Sequence, residues 1–151
     1  MRNRLSTRLI PTALATLAVA VFAAGCGSSN STGPNGSLAG TWTLTTVNGN
    51  TLPALFMAAA PDTAWITQGT VVLTSTTWNF NATAEFSAAG VHTTVPQVDS
   101  GTYTVSGSAL SLVATGDSSV TSGTVNGNTI TVNGVGLGSG TGALTLVFQK
   151  Q

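Results

Sequence analysis

From Leu38 onward, apolar and polar residues alternate with a period of two, and glycine or asparagine interrupts the alternation at short intervals. Between Thr41 and Val47, for example, Trp42 and Leu44 fall on one side of an extended chain and threonines on the other. This pattern is typical of antiparallel strands with one buried face. The same parity recurs in further apolar sets: Trp78, Phe80, Ala82, Ala84 and Phe86; Tyr103 and Val105; Leu110 and Leu112; Ile130 and Val132; Leu144, Leu146 and Phe148.

Short glycine-containing turns separate these segments. Asn48-Gly49-Asn50, Ser106-Gly107-Ser108 and Asn126-Gly127-Asn128 each place a residue that tolerates a positive φ between two alternating runs, which favours hairpins. The segments give about eight to nine strands, enough to close an antiparallel up-and-down meander into a barrel without exposed edges. The sequence therefore predicts an all-β domain with a small barrel.

Two stretches depart from the alternation. Residues 53–60 read PALFMAAA, and a proline at a first helical position predicts a short helix that Pro61 ends. This apolar helix would plug one end of the barrel, which we prefer, or form a lid at the mouth of a cavity. The glycine-rich residues 133–142 predict a mobile loop.

The first residues read MRNRLSTRLIPTALATLAVAVFAAGC, where three arginines precede an apolar run that ends in small residues. A positive start, a hydrophobic middle and a small-residue end are typical of a cleaved secretory signal. A transmembrane anchor is the alternative, but the run is short for a span and Pro11 lies near its start. Residues 27–37, GSSNSTGPNGS, are rich in turn formers and predict a flexible tether.

Ala23-Ala24-Gly25-Cys26 resembles the lipobox of bacterial lipoproteins. In that family the signal is cut before a cysteine that is diacylated on sulfur and acylated at its new amino terminus. The resemblance implies a signal peptide over residues 1–25, a lipid-modified Cys26 with its linker over residues 26–37, and attachment of the chain to a lipid bilayer. The family usually has leucine where this chain has Ala23, so cleavage elsewhere and a buried structural Cys26 remain alternatives.

The resemblance also bears on location. Gly27 rather than aspartate follows the cysteine, which by the sorting pattern of lipoproteins favours the outer membrane, facing the periplasm or the cell exterior. Once the signal is removed, Lys150 is the only basic residue other than histidine and stands against four carboxylates. Nucleic-acid binding through a basic surface and electrostatic docking to anionic lipid are therefore excluded. Membrane attachment has to be covalent.

Residues that could carry out chemistry are few. His92, the single histidine, forms with Glu85 and Asp99 the one combination that suggests metal binding or proton transfer. Zinc sites usually need several histidine or cysteine ligands. A Ser-His-Asp set from His92 and Asp99 is conceivable, but nothing singles out its serine. We therefore predict no enzymatic activity, no catalytic residue, no metal and no cofactor.

Residues 38–151 resemble the lipocalin-like domains of bacterial lipoproteins. The resemblance rests on LAGTWTLTTVNGNTLP, GTYTVSGSALSL, GTVNGNTITV and the terminal LTLVFQK. Gly40 and Trp42 match the Gly-x-Trp of the first lipocalin strand, where the tryptophan closes the barrel floor. In that superfamily a basic side chain from the last strand often packs over this ring, and here only Lys150 is available. The resemblance implies a barrel around a small-ligand cavity without assigning a ligand.

Six aromatic residues are candidates to line that cavity or to fill the core: Trp42, Trp65, Trp78, Phe80, Tyr103 and Phe148. Two functions follow from the two alternatives. An open cavity lined by aromatics favours a membrane-anchored envelope lipoprotein that binds a small hydrophobic ligand. A filled barrel with an exposed apolar patch favours a structural or protein-interaction lipoprotein.

Overall fold

A computed structural model describes residues 37–59, 61–137 and 142–151, and within these residues the regular structure is entirely β. No helix among them has the length and apolarity needed to cross a membrane. The predictions for the signal, Cys26 and nearly all of the tether lie outside the described residues. The strands are β1 Gly40–Val47, β2 Asn50–Thr51, β3 Ala54–Ala59, β4 Asp62–Leu73, β5 Thr77–Ala88, β6 Val91–Ser106, β7 Ala109–Ala114, β8 Val120–Asn126, β9 Thr129–Val135 and β10 Leu144–Lys150.

Eight of these strands close into a barrel. From β4 to β10 each strand pairs antiparallel with the next one, and β1 joins the two ends by pairing with both β10 and β4. Trp42, for instance, is in register with Lys150 on one side and with Val71 on the other. The prediction of an antiparallel meander that closes into a small barrel is confirmed.

The remaining two strands arise where β1 and β4 diverge. β1 pairs with β4 only through residues 40–43, beyond which β1 pairs with β2 and the first half of β4 pairs with β3. The prediction of a helix over residues 53–60 is wrong, because residues 54–59 form β3. A helix of this length forms few backbone hydrogen bonds, and its first turn is costly to nucleate. As a strand, the same segment forms its backbone hydrogen bonds with β4. A short apolar run does not distinguish the two by period.

β4, β5 and β6 are longer than the other barrel strands and extend past them. The first half of β6, residues 91–100, pairs with β5 only, because β7 begins its pairing at Gly101. We call this extension of β3 to β6 beyond the barrel the flared sheet. Pro96 lies on its free edge, where a missing N–H removes no ladder hydrogen bond. Ala89 and Gly90 form the hairpin turn at its tip with φ of 49° and 83°.

The turns predicted from glycine and asparagine are found where expected. Asn48 and Gly49 have φ of 51° and 80°, and Gly107 and Gly127 have φ of 60° and 58°. The mobile loop predicted over residues 133–142 begins too early, because β9 continues to Val135 and pairs with β10 and β8 there. Residues 138–141 of that stretch lie outside the described part of the chain.

Part of the buried core lies where β1 and β4 diverge. Four side chains near this divergence are almost fully buried in the core: Leu44, Val47, Ala54 and Ile66. Gly69 makes room for this packing, since a Cβ there would lie 2.9 Å from Cδ2 of Leu44. The same cluster of buried residues continues along β5, β7, β9 and β10, where its members also line the cavity described below.

Candidate ligand cavity

A cavity of about 440 Å³ lies inside the barrel between β4, β5, β7, β9 and β10. Its wall includes inward side chains predicted from the alternation, among them Trp78, Phe80, Leu110, Leu112, Val132 and Phe148. Small-molecule sites typically enclose about 300–1,000 Å³ and are mostly apolar with few polar groups. The volume and lining of this cavity therefore suit a small apolar ligand.

Aromatic contacts and one hydrogen bond hold this wall in place. The rings of Phe80 and Phe148 meet edge to face at 6.2 Å between centroids and 88° between planes. Trp78 donates its Nε1 hydrogen to the carbonyl oxygen of Thr102 at 3.0 Å. Because its polar atom is satisfied by the backbone, the indole of Trp78 offers the cavity an apolar surface.

The mouth of the cavity is polar, in contrast to its wall. Gln97 and Asp99 of β6 contribute to it, as do Asp117 and Ser119 of the loop between β7 and β8. Asp99 is in register with Phe80, so the two side chains share one face of the sheet. Half-buried apolar residues at the end of β9, including Val135, complete the rim.

Asp117 is held by its own loop. One carboxylate oxygen accepts hydrogen bonds from the backbone N–H of Ser118 at 2.6 Å and of Ser119 at 2.9 Å, and the other accepts the hydroxyl of Ser119 at 2.5 Å. These bonds, the Ser119 hydroxyl first among them, keep the pKa of Asp117 below its ordinary value of 3.8. Asp117 is therefore a negative charge at the mouth at neutral pH.

The opposite end of the barrel is closed. Trp42 is fully buried there and donates its Nε1 hydrogen to the carbonyl oxygen of Leu38 at 3.0 Å. Lys150 lies over the indole with its Nζ 5.4 Å from the ring centroid, and the same Nζ donates to the carbonyl oxygen of Ser37 at 2.6 Å. This is the contact between a basic residue of the last strand and the first-strand tryptophan that the lipocalin resemblance implies.

Tyr103 also ties the closed end together. Its hydroxyl donates to the carbonyl oxygen of Thr74, in the β4–β5 turn, at 2.8 Å. Burial raises the pKa of Tyr103 above its ordinary value of 10.0, since the neutral phenol is favoured away from water.

The structure sorts the six aromatic candidates into three groups. Trp78, Phe80 and Phe148 come together on the cavity wall, whereas Trp42 and Tyr103 pack against the core without lining the cavity. Trp65 lies in neither place. It is 38% exposed on the outer face of the flared sheet, because the inward positions of this part of β4 belong to Ala64 and Ile66.

Sequence reasoning did not find the polar mouth. Asp99 does carry a signal, since it is in phase with Gly101, Tyr103 and Val105 and therefore points to the same face of β6. Asp117 followed by two serines is typical of a side chain that caps its own turn. Their common position at the cavity depends on strand register, which the sequence does not display.

The predicted combination of His92, Glu85 and Asp99 does not form one group. His92 Nδ1 lies 3.0 Å from Glu85 Oε1, and both side chains are well exposed on the flared sheet, whereas Asp99 faces the cavity mouth. His92 lies in β6. Among the described residues, no three histidine, cysteine or acidic side chains are grouped so that they would hold a metal ion.

Comparison with known proteins agrees with this geometry. The lipocalin-like domain family model matches the chain over residues 38–132. The chain belongs to the lipocalin-like domain family. The match ends before β10, yet β10 closes the lipocalin-like barrel and supplies Phe148 to the cavity. No curated protein matches the chain.

Proposed function

We propose that this lipocalin-like barrel binds a small hydrophobic molecule in its internal cavity. The observation that carries this function is the unfilled, apolar space of about 440 Å³ between Trp78, Phe80 and Phe148. Barrels of eight strands are either filled by side chains or wide enough for one small ligand, as in lipocalins. Leu44 and Ile66 lie outside the lining of this space, whereas core residues of β5, β9 and β10 form its wall. Binding, with no catalytic step, accounts for such a space.

The architecture of the two ends supports the same function. The closed end is sealed by Trp42 and its hydrogen bond, so that a ligand enters and leaves at the mouth. Because β7 is short, residues 91–100 of β6 pair with β5 but have no strand partner on the β7 side. A barrel with one sealed and one open end retains an apolar molecule out of water while allowing exchange.

We further propose that the barrel is anchored to the cell envelope through an acylated Cys26. The lipobox-like Ala23-Ala24-Gly25-Cys26 and the preceding apolar run support this anchor. The barrel domain has one lysine and no arginine, so it lacks a basic surface with which to dock on anionic lipid. Gly27 after the cysteine favours the outer membrane. The lipid-anchored barrel would then take up its ligand at the membrane or in the adjoining aqueous compartment.

Ligand binding is tested with N-phenyl-1-naphthylamine, an uncharged dye that fluoresces in apolar surroundings. Ala114→Phe places a ring at the cavity wall and should weaken dye binding by about tenfold or more, which corresponds to about 1.4 kcal/mol. Val113→Phe is the matched control, because the adjacent residue of β7 points to the other face.

Thermal unfolding followed by circular dichroism verifies that both variants are folded. Saturable binding by the wild type and by Val113→Phe, with the loss confined to Ala114→Phe, supports the cavity function. No dye binding by the folded wild type, or equal binding by both variants, contradicts it and favours the structural or protein-interaction alternative.

The anchor is tested by Cys26→Ser in a host that exports lipoproteins. The variant should accumulate as a larger precursor and take up no radiolabelled palmitate, since the acylated sulfur is absent. Unchanged mobility together with unchanged palmitate incorporation would disprove the anchor without affecting the ligand experiment.

A further inference from the structure

The charges around the cavity are all of one sign, and this constrains the head group of its ligand. Asp99 and Asp117 are exposed at the mouth and both contribute to its lining. The carboxylates alone would not make a site. The independent observation is the apolar cavity of about 440 Å³ that opens directly at them.

Neither mouth carboxylate has a cationic partner in the described part of the chain. Asp99 accepts the backbone N–H of its neighbour Ser100 at 2.7 Å, and Asp117 accepts only the bonds of its own loop. The ion pair of that part joins His92 to Glu85 on the flared sheet. Residues 136–143 contain no charged residue.

The one basic residue of the barrel strands other than histidine lies at the wrong end for an anionic ligand. Lys150 lies over Trp42 at the closed end, and its Nζ is bound to the Ser37 carbonyl. A fatty-acid carboxylate that entered the cavity would therefore leave its charge beside two like charges without a counter-ion. Like charges placed at an interface disfavour a partner, whereas an ammonium group at the same place is attracted.

From this arrangement we propose that the ligand is a single-chain amphiphile with an apolar tail and a cationic amine head. The tail occupies the wall between Trp78, Phe80 and Phe148, and the ammonium group meets Asp99 and Asp117 at the mouth. The hydrogen bonds to Asp117 support this, since they hold its pKa low and keep the carboxylate charged. The volume of the cavity lies near the lower end of the range for ligand sites, and it therefore suits a ligand with one hydrocarbon tail better than a ligand with two. This ligand class rests on the binding function proposed above.

Three probes of equal chain length separate the contribution of the head group from that of the tail. Dodecylamine, dodecanol and dodecanoate are titrated against bound N-phenyl-1-naphthylamine at neutral pH, with the purified full chain. Dodecylamine should bind about fivefold tighter than dodecanol, and dodecanoate more weakly than either, since partly exposed charge pairs contribute modestly.

Charge variants locate the preference. Asp99→Asn with Asp117→Asn should remove the preference for dodecylamine and leave dodecanol affinity unchanged. Asp62→Asn with Glu85→Gln removes the same amount of charge away from the cavity lining and should keep the preference. If the first double variant does not fold, salt gives the same information on the wild type. Raising NaCl from about 20 mM to about 500 mM should reduce the advantage of dodecylamine and leave dodecanol unaffected.

The outcomes separate this ligand class from the binding function itself. Three outcomes overturn the amine head and leave the cavity function standing. Dodecylamine binds no more tightly than dodecanol, dodecanoate binds most tightly of the three, or the preference for dodecylamine survives in the Asp99→Asn, Asp117→Asn double variant. A folded chain that binds none of the three probes overturns both.

Discussion

The two ends of this barrel use polar groups in opposite ways. At the closed end, side chains donate to backbone carbonyls: Trp42 to Leu38, Lys150 to Ser37 and Tyr103 to Thr74. At the mouth, Asp99 and Asp117 present negative charge toward the cavity opening. The comparison shows that the polar groups of the closed end tie separate strands together, whereas the mouth carries two carboxylates that bond only within their own segments.

The difference follows from strand length. β7 to β10 span six or seven residues each, whereas β5 and β6 span 12 and 16. At the closed end the strands are tied together by the contacts of Trp42, Lys150 and Tyr103, but at the mouth the short ones stop first. The flared sheet continues on one side only and leaves the cavity open.

The largest effect is expected at the floor of the barrel. Trp42→Ala should lower the free energy of unfolding by about 3–5 kcal/mol, because it leaves a large cavity and an unsatisfied Leu38 carbonyl. Val135→Ala, a half-buried change at the mouth, should cost less than about 1.5 kcal/mol. Urea unfolding followed by circular dichroism measures both. Equal losses would contradict the division between a stabilising floor and an accessible mouth.

Much of this fold was readable from strand parity. Trp78, Phe80 and Phe148 were predicted as an inward set and lie together on the cavity wall, since a period of two fixes which face a side chain takes. β3 was not predicted, because all six of its residues are apolar and therefore show no alternation. Trp65 was assigned inward as an aromatic, but the parity of β4 gives its inner positions to smaller residues.

The polar mouth could not be predicted from the sequence, for a different reason. Asp99 and Asp117 come near one cavity because β7 ends at Ala114 and its loop turns back, where Thr115 donates its N–H to the carbonyl of Ser100 at 2.8 Å. Such a meeting depends on the register of β6 with β7. The period of two indicates which side chains of a strand face inward, but it does not indicate where the neighbouring strand ends.

A smaller effect is expected from Lys150, which covers the floor from outside. Lys150→Met should lower the free energy of unfolding by about 1 kcal/mol, through loss of the cation over the indole and of the hydrogen bond to Ser37. Lys150→Arg keeps the positive charge and should retain most of the stability. Urea titrations of both variants measure the difference. A loss as large in Lys150→Arg as in Lys150→Met would show that the charge over Trp42 does not contribute.

The smallest effect concerns pH at the same end. Because burial raises the folded-state pKa of Tyr103 above the unfolded value of about 10.0, the fold favours the neutral phenol. Its contribution to stability is complete below about pH 10 and is lost as the pH rises through the higher folded-state pKa. Tyr103→Phe has no proton to lose, so its stability should fall less steeply than that of the wild type between about pH 9 and pH 11.

The chain has a single tyrosine, and every other titratable group is common to wild type and variant. The difference between the two slopes therefore reports Tyr103 alone. Urea unfolding at each pH measures both slopes. Dye binding at each pH measures whether the cavity still binds its ligand over the same range. Parallel slopes would show that ionisation of Tyr103 is not coupled to the closed end. A steeper wild-type slope would assign alkaline sensitivity to burial of the Tyr103 phenol, at the end of the barrel opposite the two carboxylates.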